Sequence, residues 1–322
     1  MAQLFSYANP DDPKVRRMTM ALLERALGLS KLSNGYERWR RELGAPSAHT
    51  FGSMLDMCEI ELVLTGRWPL PSVPDGPLLI VSNHPFGIGD GIALGALAER
   101  FGRPFKLLIN QRLARVPEIE PYILPLSFDE TQEAVEMNIA TRHEAVRLLK
   151  AGGTVGIFPG GGVATAPLGY GPVEELPWKK FLPKLVQMGG ASVLPIYMHG
   201  QNSLLFQAAS RVSLTARRAM LCREFVRQLG SPIVVQVGAL MPPEELTAIR
   251  DRNALLAHIQ SAVLSMRPHP IRSDRPAVIG AKSRHPLWKE DAVSMGNSIK
   301  LRRDKTAGED VAGRMARNAS LY

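Results

Sequence analysis

The chain has 322 residues, of which 45% are hydrophobic and 21% are charged, a composition that excludes a disordered chain and a multi-span membrane protein. Its formal net charge is +9, with 39 lysines and arginines against 30 aspartates and glutamates, so an anionic partner is expected. Residues 267–322 hold 12 basic and 6 acidic side chains and little apolar periodicity, which predicts a basic, flexible tail behind a mildly basic body.

Two further features bear on localisation. Only two cysteines occur, Cys58 and Cys222, without CxxC spacing, so neither a disulfide framework nor a zinc site is expected. No run of about 18 or more uncharged apolar residues is present, and residues 1–10 lack the pattern of a secretion signal. We therefore expect the protein in the cytoplasm.

The first part of the chain, residues 1–68, is predicted to be a helical, membrane-proximal extension. Residues 11–45 have the apolar and basic spacing of two short amphipathic helices, with a break at Ser33-Asn34-Gly35. Residues 51–65 continue with helical spacing, although 60–64 fit a strand equally well.

From residue 69 onward, short apolar segments alternate with amphipathic ones. Strands are predicted at 78–82, 105–109, 123–128, 154–158, 191–197 and 233–237. Helices are predicted at 90–100, 133–150, 177–188, 214–229 and 242–266. This alternation predicts an α/β domain over 69–266, a mostly parallel mixed sheet flanked by helices, with the N-terminal amphipathic helices before it and the irregular tail 267–322 behind it. In such a sheet the functional site lies at the carboxyl ends of the strands.

The first candidate motif is Asn83-His84-Pro85-Phe86-Gly87-Ile88-Gly89-Asp90, between a predicted strand and a predicted helix. A neutral imidazole can accept a proton near physiological pH, and a carboxylate on its other nitrogen fixes the tautomer and stabilises the resulting cation. A single histidine here is more often structural, and Asp90 alone could cap the helix. The combination of the two makes His84 and Asp90 the candidate catalytic pair.

The second candidate motif, Phe158-Pro159-Gly160-Gly161-Gly162, also follows a predicted strand. Consecutive glycines let backbone N–H groups approach a ligand closely, as an oxyanion hole or a phosphate cradle requires. A tight turn explains an isolated glycine run equally well. The motif matches neither nucleotide-binding glycine pattern, so nucleotide binding has little support.

These motifs, together with Val193-Leu194-Pro195-Ile196, resemble the first, third and fourth signature blocks of the lysophospholipid acyltransferase superfamily, which includes the 1-acylglycerol-3-phosphate acyltransferases. They are most similar to a bacterial haemolysin-like subgroup, some of whose relatives acylate lipids built on amino acids. The chain departs from the family pattern in three places: five residues rather than four separate His84 from Asp90, Gly160 stands where a glutamate is common, and the second block near 124–129 lacks its arginine.

The resemblance implies an O-acyltransferase that moves a fatty acyl chain from acyl-CoA or acyl carrier protein to a lysophospholipid or other lyso-lipid acceptor, in membrane lipid biosynthesis. His84 would be the base and Asp90 would orient it. The residues expected to bind substrate are Asn83, Phe158, Pro159, Gly160, Gly161, Gly162 and, in place of the missing arginine, Arg112. No metal and no cofactor beyond the thioester co-substrate is expected, and the enzyme would act peripherally on the inner face of the plasma membrane.

Two other interpretations stay open. A non-catalytic basic lipid- or nucleic-acid-binding protein fits the charge, but aromatic residues are only 6% and no basic platform interleaved with aromatics occurs, so no nucleic acid partner is expected. A lipid hydrolase would use similar groups, but the chain has no GxSxG nucleophile motif.

Overall fold

The structure is a computed structural model that describes residues 13–26, 29–43, 49–111, 116–127, 129 and 131–268. Two sequence-based expectations lie outside these residues: Arg112, and all of the predicted tail from residue 269 on. The described residues up to Arg267 belong to one compact unit.

The two predicted N-terminal helices are present, as α1 (Lys14–Ala26) and α2 (Leu29–Leu43). The predicted break at Ser33-Asn34-Gly35 is wrong, because α2 continues through it. Tyr36 and Trp39, on the next turns, are buried in the hydrophobic core. Tertiary packing of these two rings outweighs the poor helix propensity of the three preceding residues.

The ambiguous stretch after α2 contains both a helix and a strand, α3 (Thr50–Met57) and β1 (Leu62–Gly66). β1 pairs in parallel with the last strand and forms one edge of the sheet. The sheet therefore begins before residue 69, within the part of the chain that the sequence assigns to a separate extension.

The remaining elements follow the predicted alternation. The strands are β2 (Leu78–Ser82), β3 (Phe105–Asn110), β4 (Ile123–Leu126), β5 (Thr154–Ile157), β6 (Ser192–Met198) and β7 (Ile233–Val237). The helices are α4 (Ile88–Glu99), α5 (Gln132–Lys150), α6 (Phe181–Gly189), α7 (Leu204–Val212), α8 (Leu214–Gln228), α9 (Pro243–Ala248) and α10 (Arg252–Leu264), and a short 3-10 helix spans Glu120–Tyr122. The helix predicted over 242–266 is thus two helices.

The seven strands form one sheet in the order β1-β7-β6-β2-β5-β3-β4. Neighbours are parallel except β6 and β7, which confirms the predicted mostly parallel mixed sheet. Within the described residues, no helix combines the length and the apolar character needed to cross a bilayer.

Apolar side chains cover both faces of the sheet. In the fully buried strand β2, Leu78 and Ile80 belong to one hydrophobic cluster, and Leu79 and Val81 belong to the other. This alternation follows from the two-residue period of a strand. Since β2 lies between β5 and β6, the loops after these three strands converge at one edge of the sheet.

Candidate active site

His84 is the second residue after β2, and Asp90 lies in the first turn of α4. The imidazole Nδ1 is 2.8 Å from Asp90 Oδ2. The same oxygen accepts the backbone N–H groups of Phe86, at 2.7 Å, and Gly87, at 2.8 Å. The Asp90 side chain is fully buried, whereas that of His84 remains 16% exposed. An ionised Asp90 can only accept, so the hydrogen bond requires the proton on Nδ1 of His84. Nε2 is then the nitrogen that can take a proton.

The loop accommodates the extra residue between His84 and Asp90 by a turn at Gly87, whose φ of +105° favours glycine. The helix begins at Ile88, two residues earlier than predicted. Asp90 therefore does not cap the helix from outside: it lies in the first turn and points its carboxylate back at the loop. A carboxylate in this place also interacts favourably with the helix dipole.

Asn83 connects the ends of two neighbouring strands. Its Nδ2 donates to the carbonyl of Met198 at 2.9 Å, and its Oδ1 accepts the Met198 N–H at 2.7 Å. The residue is buried and its amide is used on the backbone of β6, so it fixes the base of the His84 loop. Its contact with a substrate stays a prediction.

The glycine motif lies against His84. The ring of Phe158 stacks on the imidazole, with centroids 4.1 Å apart and planes inclined by 16°. Ala164, just beyond the glycines, donates its N–H to the His84 carbonyl at 2.8 Å. Gly161 adopts a φ of +71° and donates its N–H to the Phe158 carbonyl, closing a tight turn. The structure thus brings the two sequence motifs together.

Two charged residues that the sequence analysis did not place in the site also lie here. Glu175 accepts the backbone N–H of His84 at 2.9 Å through Oε1. Burial, the largest influence, raises the pKa of Glu175. Arg217 donates from Nη2 to the Val163 carbonyl, beside the glycine loop, and burial lowers its pKa. Glu175 sits in an aperiodic, proline-rich segment, which explains why periodicity gave no signal for it.

A second histidine, His199, follows β6. Its Nε2 is 3.1 Å from Gln236 Oε1, and burial lowers its pKa. A carboxamide cannot stabilise an imidazolium as the Asp90 carboxylate can, so His199 is not arranged as His84 is.

The paired imidazole and carboxylate, stacked against a glycine loop at the carboxyl ends of parallel strands, define an α/β protein equipped for general base chemistry. A family model described as "Acyltransferase" matches residues 70–247, more than half of the chain. The chain therefore belongs to this acyltransferase family.

Two curated proteins and one solved structure are similar to parts of the chain. The lyso-glycine lipid O-acyltransferase of Phocaeicola vulgatus is 26% identical over 159 residues, covering 47% of this chain and 52% of that protein. The protein of the same name from Bacteroides thetaiotaomicron is 28% identical over 165 residues, covering 49% and 55%. The chain thus spans about half the length of these relatives. The 1-acyl-sn-glycerophosphate acyltransferase PlsC of Thermotoga maritima aligns over 69% of this chain and 79% of its own, with a TM-score of 0.42 and 16% identity.

Proposed function

We propose that the protein transfers a fatty acyl chain from a thioester donor to a hydroxyl group of a lyso-lipid acceptor. The observation that carries this proposal is the 2.8 Å contact between His84 Nδ1 and Asp90 Oδ2, beside the glycine loop. Membership of the acyltransferase family supports it, and so do the names of both curated relatives, which are O-acyltransferases.

In the proposed reaction, Nε2 of His84 removes the proton of the acceptor hydroxyl as its oxygen attacks the thioester carbonyl. The carbon–sulfur bond then breaks, and the leaving thiolate takes the proton back from the imidazolium. Asp90 holds the imidazole in the required tautomer and stabilises the cation between these two steps. A general base of this kind typically contributes about 10²–10⁴-fold in rate. The mechanism needs neither a metal nor a covalent acyl-enzyme.

The glycine loop is suited to hold the oxyanion that develops on the carbonyl. The N–H of Gly161 already donates to Phe158. Among the described residues, no hydrogen bond is recorded for the N–H groups of Gly160 and Gly162, which makes them the candidate donors. One such donor typically contributes about 2.7–4 kcal/mol to the transition state. The positive charge of Arg217 beside this loop favours an anionic group there, a role that the sequence assigned to Arg112.

The acceptor is proposed to be a lyso-lipid, with lyso-glycine lipid as the first candidate because both curated relatives carry that name. The donor is acyl-CoA or acyl carrier protein. A test incubates the full chain with each labelled donor and a panel of lyso-glycine lipids and lysophospholipids, for the parent protein, His84→Ala and Asp90→Asn. His143→Ala, an exposed histidine on α5, is the matched control.

We expect an acylated lipid with the parent protein and with the control, and a loss of about 10²-fold or more in both site variants. Release of free fatty acid without transfer would instead assign a hydrolase. Equal transfer by His84→Ala would contradict the proposed base, and no transfer by the parent to any acceptor would contradict the proposed function.

The enzyme must reach its lipid, and we propose that it binds a membrane surface through the α7 face. This name covers the exposed apolar side chains of Leu168, Tyr170, Leu204, Leu205, Val212 and Leu214. The exposed Arg211, on α7, connects this helix to the loop that carries Leu168 by donating a hydrogen bond to the Pro167 carbonyl. Exposed apolar side chains next to basic ones are typical of interfacial binding to anionic lipid.

The proposed membrane contact is tested by flotation with anionic phospholipid vesicles. Leu204→Ser with Leu205→Ser should reduce vesicle binding strongly, because two apolar side chains no longer enter the lipid. Val135→Ser with Ile139→Ser, two exposed apolar positions on α5, is the matched control and should bind as the parent does. If both pairs bind equally, the α7 face is not the contact. The exposed stripe of Val15, Met18 and Leu22 on α1 is then the alternative.

A further inference from the structure

The space beside Gly160, where the family commonly has a glutamate, is occupied by a carboxylate from another segment. A Cβ atom built on Gly160 would lie 3.3 Å from Glu175 Oε2 and 3.1 Å from the Leu176 carbonyl oxygen. A side chain at position 160 and the Glu175 carboxylate would therefore compete for one place. The acidic group missing from the glycine motif is present in the fold, but it arrives from residue 175.

Backbone contacts hold this segment against the site. Thr165 and Glu174 exchange N–H···O hydrogen bonds of 3.1 and 3.0 Å, and Lys179 donates its N–H to the Pro159 carbonyl at 3.0 Å. Glu175 is thus anchored on both sides by the two ends of the glycine loop. These backbone hydrogen bonds therefore fix the position of Glu175 in the site.

The two oxygens of Glu175 have different surroundings. Oε1 accepts the backbone N–H of His84 at 2.9 Å. Oε2 is buried and has no hydrogen-bond partner among the residues that the structure describes. A buried carboxylate oxygen without a donor is costly, so its retention calls for a compensating charge nearby.

The charged and titratable groups that act on this carboxylate are His84, Asp90, Arg267 and Tyr197. Burial and the negative charge of Asp90 raise the pKa of Glu175, whereas the positive charges of His84 and Arg267 lower it. The attraction between this carboxylate and the imidazole is therefore strongest when the imidazole is an imidazolium. In the proposed reaction, that state exists between the two proton transfers.

We propose that Glu175 is a positioning residue of the acyl-transfer site: it replaces the acidic side chain missing at position 160, fixes His84 through its backbone and stabilises the imidazolium formed during transfer. His84 then lies between two carboxylates, with Asp90 on the ring and Glu175 on the main chain. The inference rests on the proposed function and adds to it a second acidic residue that acts through His84.

Glu175→Gln separates the charge from the contact, because the amide oxygen of glutamine can still accept the His84 N–H. We expect kcat to fall on the order of tenfold, since the negative charge that interacts with the imidazolium is lost, while the KM of the acceptor changes little. Glu174→Gln, the same charge change on the exposed neighbour, should leave both unchanged.

A second variant restores the charge from the other position. Glu175→Gly alone should be nearly inactive, and Gly160→Glu combined with Glu175→Gly should recover part of kcat, because the new carboxylate can take the place of Oε2 once the backbone shifts slightly away from its 3.1 Å contact at the Leu176 carbonyl. If Glu175 served only the local structure of its own segment, a carboxylate at position 160 would not restore activity. Failure of the double variant to exceed Glu175→Gly, with both folded by circular dichroism, would overturn the inference.

A readout without catalysis keeps this inference distinct from the proposed function. In NMR spectra of the full chain, the backbone amide resonance of His84 should move in Glu175→Gly, which removes the acceptor Oε1, and should stay near its parent position in Glu175→Gln. This shift can appear even if no acyl transfer is found, in which case the proposed function alone fails. An unchanged His84 amide resonance together with an unchanged kcat in Glu175→Gly would overturn the inference.

Discussion

The ring of Phe158 lies flat on the imidazole of His84, with centroids 4.1 Å apart. Phe158 follows β5 and His84 follows β2, so this stack joins the loops of two neighbouring parallel strands. Asp90 fixes the imidazole at one edge, through Nδ1, and Phe158 fixes the plane of the ring. Together the two contacts determine where Nε2 points.

Phe158→Leu should therefore lower activity more than stability. Leucine keeps most of the buried volume, so the free energy of unfolding should fall by about 1.5 kcal/mol or less, whereas the flat face against His84 is lost. We expect kcat to drop several-fold with the acceptor KM little changed. Phe51→Leu, a buried phenylalanine on α3 that packs against Gly95 of α4, is the control. Equal activity loss in the two variants, measured on protein of equal folded fraction, would rule out a specific role for the stack.

Asn83 offers a test of structural against catalytic effects, because the chain contains the same arrangement twice. Asn83 exchanges two hydrogen bonds with the backbone of Met198, and Asn138 exchanges two with that of Ser127, at 2.9 Å each, beside the end of β4. Either asparagine changed to alanine leaves a backbone N–H and a carbonyl unpaired, at about 1–3 kcal/mol for each group that stays buried.

We expect both alanine variants to lower the melting temperature, with the larger drop for the more deeply buried Asn83. Only Asn83→Ala should also reduce the activity per folded molecule, because only its loop carries His84. If Asn138→Ala reduced it equally, the activity loss would reflect general loosening of the sheet rather than displacement of the base.

How far the sequence predicts this fold can be judged element by element. The continuous apolar run at 78–82 predicts β2 with its bounds, because a strand buried on both faces leaves a strong local signal. α4 begins two residues earlier than predicted, since Gly87 turns the chain and that conformation is not visible in a hydrophobic pattern. The sequence predicts α8, at 214–229, but not α7, although Ser203 accepts the Phe206 N–H as the N-cap of α7.

The residues of the candidate site also differ in how well the sequence predicts them. His84, Asp90 and the glycines lie next to predicted strands. Because the carboxyl ends of neighbouring parallel strands lie at the same edge of a sheet, the sequence predicts that these residues meet. Glu175 and Arg217 reach the site from segments far along the chain, through contacts with the His84 N–H and the Val163 carbonyl. Such contacts depend on how loops pack, and no spacing rule encodes them.

Glu99 and Glu175 should each contribute a loss of stability as the pH rises above the ordinary range of carboxyl groups. Burial raises the pKa of Glu99, whose carboxylate accepts the N–H groups of Phe51 and Gly52, and that of Glu175. Between the ordinary carboxyl pKa and the raised one, these groups hold protons in the folded protein that the unfolded chain has released. Each group therefore lowers the free energy of unfolding as the pH rises through this window.

Chemical denaturation between about pH 4 and pH 8 measures this dependence. Relative to the parent protein, the slope of stability against pH should be less negative in Glu99→Gln and in Glu175→Gln. Glu144 provides a control of opposite sign: the hydrogen bond from Arg147 lowers its pKa, so Glu144→Gln should remove a small stabilisation that is present above the ordinary pKa and lost as the pH falls. The same slope of stability against pH in the parent protein and in both of these glutamine variants would contradict the assignment for Glu99 and Glu175.

The last prediction concerns Arg217, whose Nη2 donates to the Val163 carbonyl and lies 3.8 Å from the Cβ position of Gly162. A guanidinium remains protonated even where burial lowers its pKa, so it places a positive charge at the glycine loop. If that charge binds an anionic group of a substrate, Arg217→Gln should raise one KM roughly tenfold or more, the usual worth of a hydrogen bond to a charged group. The KM of the donor and that of the acceptor are measured separately, because only the substrate whose anion lies there should respond. Arg252→Gln, at the start of α10, is the control and should change neither. A loss of kcat with both KM values unchanged would instead assign Arg217 to the shape of the loop, through its bond to Val163.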